Sequence, residues 1–186
     1  PDQNLWLKRD SIEDIAKKLN ISKGTVSKAL NGAPDVSETL RKSVLETAVE
    51  LGYSRALRKH GAKKLCLFLE NMAYNAPSDF GYDIITGFRK AAEPAGFEVC
   101  QVALDAQTQK SFPYDEYMLQ HNYTAAFFLG LSLSDVWLHQ LQTSHTPAVL
   151  LDNYIRANPF TCYVGVDNSK GMDLAIAYLK SMGHRK

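Results

Sequence analysis

The chain has 186 residues, of which 45% are apolar, and its formal net charge is only +1. This length and composition suffice for one sizeable core and a second, smaller one, which excludes a disordered chain. No apolar run reaches the roughly 18 residues of a membrane span, and the N-terminal PDQNLWLKRD lacks the apolar segment of a signal peptide, so we expect a cytoplasmic protein without a membrane partner. The three cysteines lie far apart in apolar runs, so neither a disulfide nor a metal or other cofactor is expected.

The charges are distributed unevenly along the chain. Residues 1–64 contain 13 Lys and Arg against 8 Asp and Glu, a balance of +5, whereas residues 65–186 contain 8 against 12, a balance of −4. A basic head on an acidic body indicates a polyanion-binding module attached to a part that must avoid polyanions. A chance fluctuation of surface charge is the alternative.

The first 53 residues predict three short helices. Each helix follows a serine that can cap it: Ser11, Ser22 and Ser37. The first helix is expected to end near Asn20 and the third at Gly52. Apolar residues follow the caps at helical spacing and are predicted to face inward: Ile12, Ile15, Ala16, Leu19, Val26, Ala29, Leu30, Leu40, Val44, Ala48 and Leu51.

Two short helices joined by a turn and closed by a third are typical of a helix-turn-helix unit, whose second helix enters the DNA major groove. The outward face of that helix carries small hydroxyls and cations but no carboxylate, which phosphates would repel. Hydroxyls suit phosphate oxygens, and longer donors suit base edges. Ser22, Thr25 and Ser27 fit the first task, and Lys23 and Lys28 fit the second. Helix capping and solvation are the alternative roles of the hydroxyls.

The segment SIEDIAKKLNISKGTVSKALNG, followed by VSETLRKSVLETAVELGY, resembles without gaps the DNA-binding head of LacI/GalR-type bacterial repressors. The resemblance assigns base-reading positions to Lys23, Gly24 and Lys28. It assigns backbone-contacting or helix-capping positions to Ser22, Thr25, Ser27 and Asn31. A glycine costs a helix about 1 kcal/mol relative to alanine, and close approach of the backbone to the groove would account for Gly24.

A hinge follows the head in such repressors. The family continues with a Pro-Asn pair and a hinge helix that wedges a leucine into the minor groove of DNA bound by a dimer. This chain has SRALRKHGAKK instead, which lacks that pair and is shorter. Leu57 is the predicted wedge, and a flexible basic linker over residues 54–64 is the alternative.

From residue 65 onward, short apolar segments alternate with helical ones, which predicts a doubly wound parallel α/β domain. The predicted strands are LCLFLE, FEVCQVAL, TAAFFLG, PAVLLD and TCYVGV, and helices are predicted near residues 82–95, 114–121, 135–141 and 170–182. Ligands of such sheets bind at the carboxyl ends of strands, which places binding chemistry after Glu70, Gly130, Leu151 and Val166.

This region resembles, more loosely, the body of the same repressors, which is similar to a periplasmic sugar-binding protein with two lobes closing on an effector. NAPSDFGYDIITGFRKAAEPAGFEV resembles its first loop and helix, PAVLLDN the end of its first lobe, and VGVDNSKGMDLAIAYLKSMGHRK its crossover into the second lobe. Most of the second lobe is missing from residues 1–186, as in a fragment or a truncated product. The resemblance implies a sugar-like effector and these contacts: Tyr74, Asn75, Phe80, Tyr82 and Asp152.

A sugar needs an aromatic plate for its C–H face and fixed polar groups for its hydroxyls. Phe80 or Tyr82 suits the plate and Asp152 the acceptor. Alternatively, the two rings cover the sheet, and Asp152 caps a turn with Asn153. The crossover helix is expected to expose an apolar face: Met172, Leu174, Ala175, Tyr178 and Leu179.

The predicted organisation is a DNA-binding head (1–53), a linker (54–64) and a partial effector-binding domain (65–186). The leading hypothesis is a homodimeric transcriptional repressor that binds a double-stranded DNA operator under effector control. One alternative is an α/β enzyme with a basic appendage, but the motifs G-x-S-x-G, G-x-G-x-x-G and G-x-x-x-x-G-K-[ST] are absent and no catalytic residue is predicted. The other is a solute-binding protein, which would need an export signal and no DNA-binding head.

Overall fold

The computed structural model describes residues 11–53, 63–156 and 158–185. Its N-terminal part contains α1 (Ile12–Leu19), α2 (Lys23–Leu30) and α3 (Glu38–Glu50). The predicted serine caps are confirmed, because each hydroxyl accepts a backbone N–H of the first turn: Ser11 from Glu13 at 3.2 Å, Ser22 from Thr25 at 3.0 Å and Ser37 from Leu40 at 3.3 Å. Ser11 and Asp14 also complete a capping box.

The three helices pack around one small core. Ile15, Val26, Val44 and Ala48 are fully buried there, as the spacing predicted. The first helix ends at Asn20 in the left-handed conformation, and Gly52 follows the third helix with a φ of 65°. Such a φ favours glycine, which has no Cβ to strain, so Gly52 suits a helix stop at this position.

The predicted linker, residues 54–64, lies mostly outside the described residues, and so does Leu57, the predicted minor-groove wedge. The strand that follows begins at Lys63, two residues before the predicted start of the second domain. Lys63 and Lys64 therefore belong to the sheet and not to the linker.

The second part of the chain is built on a five-stranded parallel sheet. Its strands are β1 (Lys63–Leu69), β2 (Phe97–Ala103), β3 (Tyr123–Leu129), β4 (Ala148–Leu151) and β5 (Thr161–Val164). Their order is β2-β1-β3-β4-β5, and all neighbouring pairs are parallel. The chain adds β2 on one side of β1 and the later strands on the other side, so the order of strand addition reverses between β1 and β3. This order is doubly wound, as predicted, and the reversal is a usual place for a ligand.

Helices cover both faces of the sheet. Leu67, Leu69 and Phe127 pack on one face with α4 (Phe80–Ala92), while Phe68 and Phe128 pack on the other. That second face is covered by α6 (Tyr114–Gln120) and α7 (Val136–Gln140). We call this layered unit the lobe. Its helices were predicted except for α5 (Ala106–Ser111), whose sequence AQTQKS has no apolar periodicity and whose start is set by a hydrogen bond from the Thr108 N–H to the Asp105 side chain.

The last helix, α8 (Asn168–Ser181), has no buried residue. Asp167 caps its N-terminus, because the carboxylate accepts the Lys170 N–H at 3.0 Å. The expected apolar face is exposed as well, and it comprises Met172, Leu174, Ala175, Tyr178 and Leu179.

The head packs directly on the lobe through α3 and α6. Leu119, on α6, is only 2% exposed and lies in the core of the head, whereas its neighbour Met118 lies in the core of the lobe. Gly52 contacts the lobe too, since a Cβ added there would lie 3.3 Å from the His145 ring. Burial and the nearby charge of Glu46 raise the pKa of Glu116 beside this joint. The sequence patterns did not predict the contact.

Candidate nucleic-acid interface and ligand site

The candidate DNA-reading face lies on α2, whose opposite face is fixed in the head by Val26, Ala29 and Leu30. The outward side chains of Lys23 and Lys28 are 64% and 59% exposed. The face is therefore neither packed inside the molecule nor covered by the acidic lobe.

The hydroxyls of α2 already have partners within the head. The Ser22 Oγ accepts the Thr25 N–H and lies 2.9 Å from the Thr25 Oγ1. The Asn31 side-chain amide donates to the Ser27 Oγ at 3.4 Å. Ser22 thus acts as a helix cap, which was the alternative weighed for it. Its DNA contact, and those of Thr25, Ser27 and Asn31, stay predictions.

Gly24 is exposed in the first turn of α2 and has no structural need to be glycine. A Cβ added there would meet only the Ser22 Oγ, at an ordinary 3.6 Å. The helix therefore gives up about 1 kcal/mol of propensity relative to alanine without any gain inside the head. Close approach by an external partner is the physical reason that fits a glycine here.

Carboxylates from other segments of the head lie beside the lysines of α2. The helix itself has no acidic residue in its first turn or elsewhere. However, Glu13 of α1 accepts a hydrogen bond from the Lys23 ammonium, and Asp35, in the turn before α3, accepts one from that of Lys28. Tertiary structure thus places a carboxylate beside each lysine, which the local pattern of α2 did not reveal.

The candidate ligand site lies at the carboxyl edge of the sheet. Tyr74 and Asn75 belong to the loop after β1, Phe80 and Tyr82 to the first turn of α4, and Asp152 directly follows β4. Because β3 separates β1 from β4, the carboxyl ends of these two strands lie about two strand spacings apart, roughly 10 Å. That span matches a small polar ligand bridging the ends of the strands.

The aromatic candidates differ in their surroundings. Phe80 is 69% exposed, so the alternative that it covers the sheet is wrong. Tyr82 is half-buried, and Tyr74 packs against the core beneath α4. Phe80 is therefore the ring with most surface available to a ligand.

Asp152 has an exposed side chain and a φ of 57° at the end of β4. Its N–H donates to the Val164 carbonyl at 2.8 Å, which ties it to β5. The side chain of Asn153 donates to the Leu131 carbonyl at 2.6 Å, so it fixes the loop instead of facing a ligand. Gly165 lies against the side chains of Tyr163 and Asp152, and a Cβ added there would displace both, since it would overlap the Tyr163 Oη and lie 2.6 Å from the Asp152 Oδ1.

A polar group that the sequence analysis did not single out lies at the ends of β1 and β3. The Gln109 side chain, 2% exposed, donates to Glu70 at 2.8 Å and accepts the Trp137 N–H at 3.1 Å. Burial and the charge of Asp135 raise the pKa of Glu70 to about 7. The sequence signal for this group was the pair of aspartates that follow two predicted strands and precede α5 and α7, Asp105 and Asp135.

Within the described ranges, every helix is too short or too polar to reach across a lipid bilayer. The same ranges hold no group of three or more His, Cys, Asp or Glu side chains placed to bind a metal ion.

Known proteins with similar sequences match both the head and the rest of the chain. Residues 11–56 match the family model described as bacterial regulatory proteins, lacI family. The chain is 24% identical over 176 residues to catabolite control protein A of Priestia megaterium, covering 94% of this chain and 53% of that protein. It is 26% identical to the probable HTH-type transcriptional repressor ExuR of Bacillus subtilis, covering 94% and 52%. The chain thus spans about half the length of these curated relatives.

A solved structure shares the fold of most of the chain. It is a LacI-family transcriptional regulator, CCPA, from Weissella paramesenteroides with bound glucose, which is 19% identical and covers 66% of this chain and 43% of that chain with a TM-score of 0.51.

Proposed function

We propose that this chain is a sequence-specific transcriptional repressor controlled by a small effector, on the premise that its head, residues 11–56, is of the lacI family of bacterial regulatory proteins whose model it matches. The observation that carries the proposal is the exposed face of α2, which presents Lys23, Gly24 and Lys28 on a helix seated firmly in the head. One matched relative is named as a probable transcriptional repressor, which supports this class over an enzyme. A chromosomal target implies a cytoplasmic location.

The proposed effector is a sugar or a molecule of similar size and polarity. Phe80 supplies an exposed ring, and Asp152 supplies an exposed carboxylate across the ends of the intervening strands. An aromatic plate and a hydroxyl acceptor are the groups that sugar recognition uses. The regulator of the same fold from Weissella paramesenteroides has bound glucose, which supports a sugar over a large ligand.

The proposed DNA-binding species is a homodimer. A single α2 reads only a few base pairs, whereas two heads related by a twofold axis read a near-palindromic operator whose half-sites lie one helical turn, or a multiple of it, apart. A selection of bound duplexes from a random pool tests this directly, since the recovered sequences reveal both symmetry and spacing.

Replacing both lysines of α2 tests the contact assignment. We expect Lys23→Ala with Lys28→Ala to weaken binding to the selected duplex by about 100-fold or more, because each loses a base-edge donor. The far-ultraviolet circular dichroism should not change, since both side chains are exposed. Fluorescence anisotropy of a labelled duplex provides the affinity.

A matched control removes the same charge elsewhere. Lys42→Ala with Lys90→Ala alters two exposed lysines on α3 and α4 and should weaken binding only a few-fold, through the general field. Equal losses in the two double variants would contradict the assignment to α2, and the lack of preference for any duplex would contradict the proposed function.

A further inference from the structure

Both lysines of α2 are held by carboxylates from neighbouring segments of the head. Glu13, in the first turn of α1, binds the ammonium of Lys23, and Asp35 binds that of Lys28. The two pairs lie at opposite ends of α2, so each end of the reading face carries a cation with its own acidic partner.

These carboxylates contribute little to holding the head together. Their side chains are 53% and 57% exposed, and ion pairs this open to solvent typically stabilise a protein by only about 0–1 kcal/mol. Helix capping in the same segments is done by Ser11 with Asp14 and by Ser37. Fold stability therefore does not account for their position beside the lysines.

Both carboxylates stay ionised over the physiological pH range. The hydrogen bond from Lys23 lowers the pKa of Glu13, and that from Lys28 lowers the pKa of Asp35. An ammonium held by a carboxylate is less available to phosphates, so each of these ion pairs weakens binding to DNA of any sequence while it stays closed. A feature that weakens all DNA binding raises specificity only if it lowers the affinity for unrelated sequences more than the affinity for the cognate sequence.

We propose, on the premise of the DNA-binding function above, that the two carboxylates are specificity determinants that release the lysines of α2 only at the cognate site. At that site, base-edge acceptors in the groove replace the carboxylate as partner of each ammonium. Unrelated DNA lacks those acceptors, so each ammonium stays paired with its carboxylate. A lysine paired in this way neutralises no phosphate and therefore releases no counterion from the DNA. The ion pairs thereby prevent the two lysines from contacting phosphates of unrelated DNA, while the lysines still contact base edges at the cognate site.

The salt dependence of binding measures how many lysines engage the duplex. In Glu13→Gln with Asp35→Asn, both lysines are free to reach phosphates of any DNA. We expect the slope of log affinity against log salt on a random duplex to steepen by about 0.9 for each lysine released. On the duplex recovered by selection the slope should not change, since the lysines already engage it. The preference for the selected duplex should fall about tenfold, as non-specific affinity rises at moderate salt.

A double-mutant cycle separates this mechanism from simple repulsion between carboxylate and phosphate. In a Lys23→Ala background, Glu13→Gln should leave affinity for the random duplex unchanged, because the carboxylate acts through the lysine. If the gain persists without the lysine, direct repulsion explains it and the proposal is wrong. The matching pair, Asp35→Asn in a Lys28→Ala background, repeats the test independently.

Glu50→Gln is the matched control, because it breaks a similar exposed pair, with Lys18 at 2.6 Å, that does not involve α2. It should change neither salt slope. Thermal unfolding of each variant verifies that the head stays folded. A wild-type chain without preference for any duplex would overturn the proposed function and this inference together; a wild-type preference that the carboxamide variants retain in full would overturn this inference alone.

Discussion

The head and the lobe place their candidate functional groups in different ways. In the head, the reading face belongs to eight consecutive residues of one helix, whose cap and buried side are set within the same short segment. In the lobe, the ligand edge combines groups that follow β1, β3 and β4, which are distant along the chain and adjacent only in the sheet. The proposed DNA contacts therefore depend on one local segment, whereas the proposed effector site depends on long-range topology.

The joint between α3 and α6 provides the strongest test of this contrast. Leu119→Ala should destabilise the head by about 2–5 kcal/mol, because it leaves a cavity in the core that the side chain shares with α3. Met118→Ala, at the adjacent fully buried position, should instead destabilise the lobe. Hydrogen exchange measured separately for peptides of the head and the lobe distinguishes the two. If Leu119→Ala accelerated exchange in the lobe alone, the head would be independent of α6.

The titration of Glu70, at the end of β1, tests whether carboxylates that follow different strands are coupled at the carboxyl edge of the sheet. The pKa of Glu70 is raised to about 7 in the folded lobe by burial and by the charge of Asp135, from an ordinary value of 4.5. Between these values the folded protein binds more protons than the unfolded chain, so stability falls as pH rises from about 4.5 to about 7 and stays low above that range.

Glu70→Gln should remove this fall and raise the unfolding midpoint at pH 8 above that of the wild type, since an amide does not ionise. Asp135→Asn should shift the fall to lower pH, because it removes a charge that raises the pKa of Glu70. Urea unfolding at several pH values measures both. If the stability of Glu70→Gln still fell between pH 5 and 7, the group that loses a proton in this range would not be Glu70.

The smallest expected effect concerns the glycine of the reading face. Gly24→Ala should stabilise the head by up to about 1 kcal/mol, because its Cβ would meet only ordinary contact, yet it should weaken binding to the selected duplex. Gly87→Ala is the matched control, since Gly87 lies in α4 with open space around it and away from the reading face. That variant should gain stability without any change in DNA binding. Unchanged affinity in Gly24→Ala would mean that the backbone of α2 does not approach DNA closely.

The sequence was sufficient for most of the architecture. Serine caps, apolar spacing and the left-handed stop at Gly52 are short-range features, and the three helices formed where they predicted. The strands of the lobe were readable as well, because a parallel sheet buried on both faces requires nearly continuous apolar runs. Helix α5 was missed because a short polar helix held by one cap leaves no periodic pattern.

What only tertiary structure decided is how charges and polar groups meet. The pairing of Lys23 with Glu13 joins residues ten apart on two helices, and that of Glu70 with Gln109 joins residues 39 apart. Propensity and periodicity describe each segment separately, whereas these contacts depend on the packing of one segment against another. The sequence by itself therefore determined which helix faces outward with lysines. The fold determined that those lysines are held by carboxylates, and that a leucine of the lobe completes the core of the head.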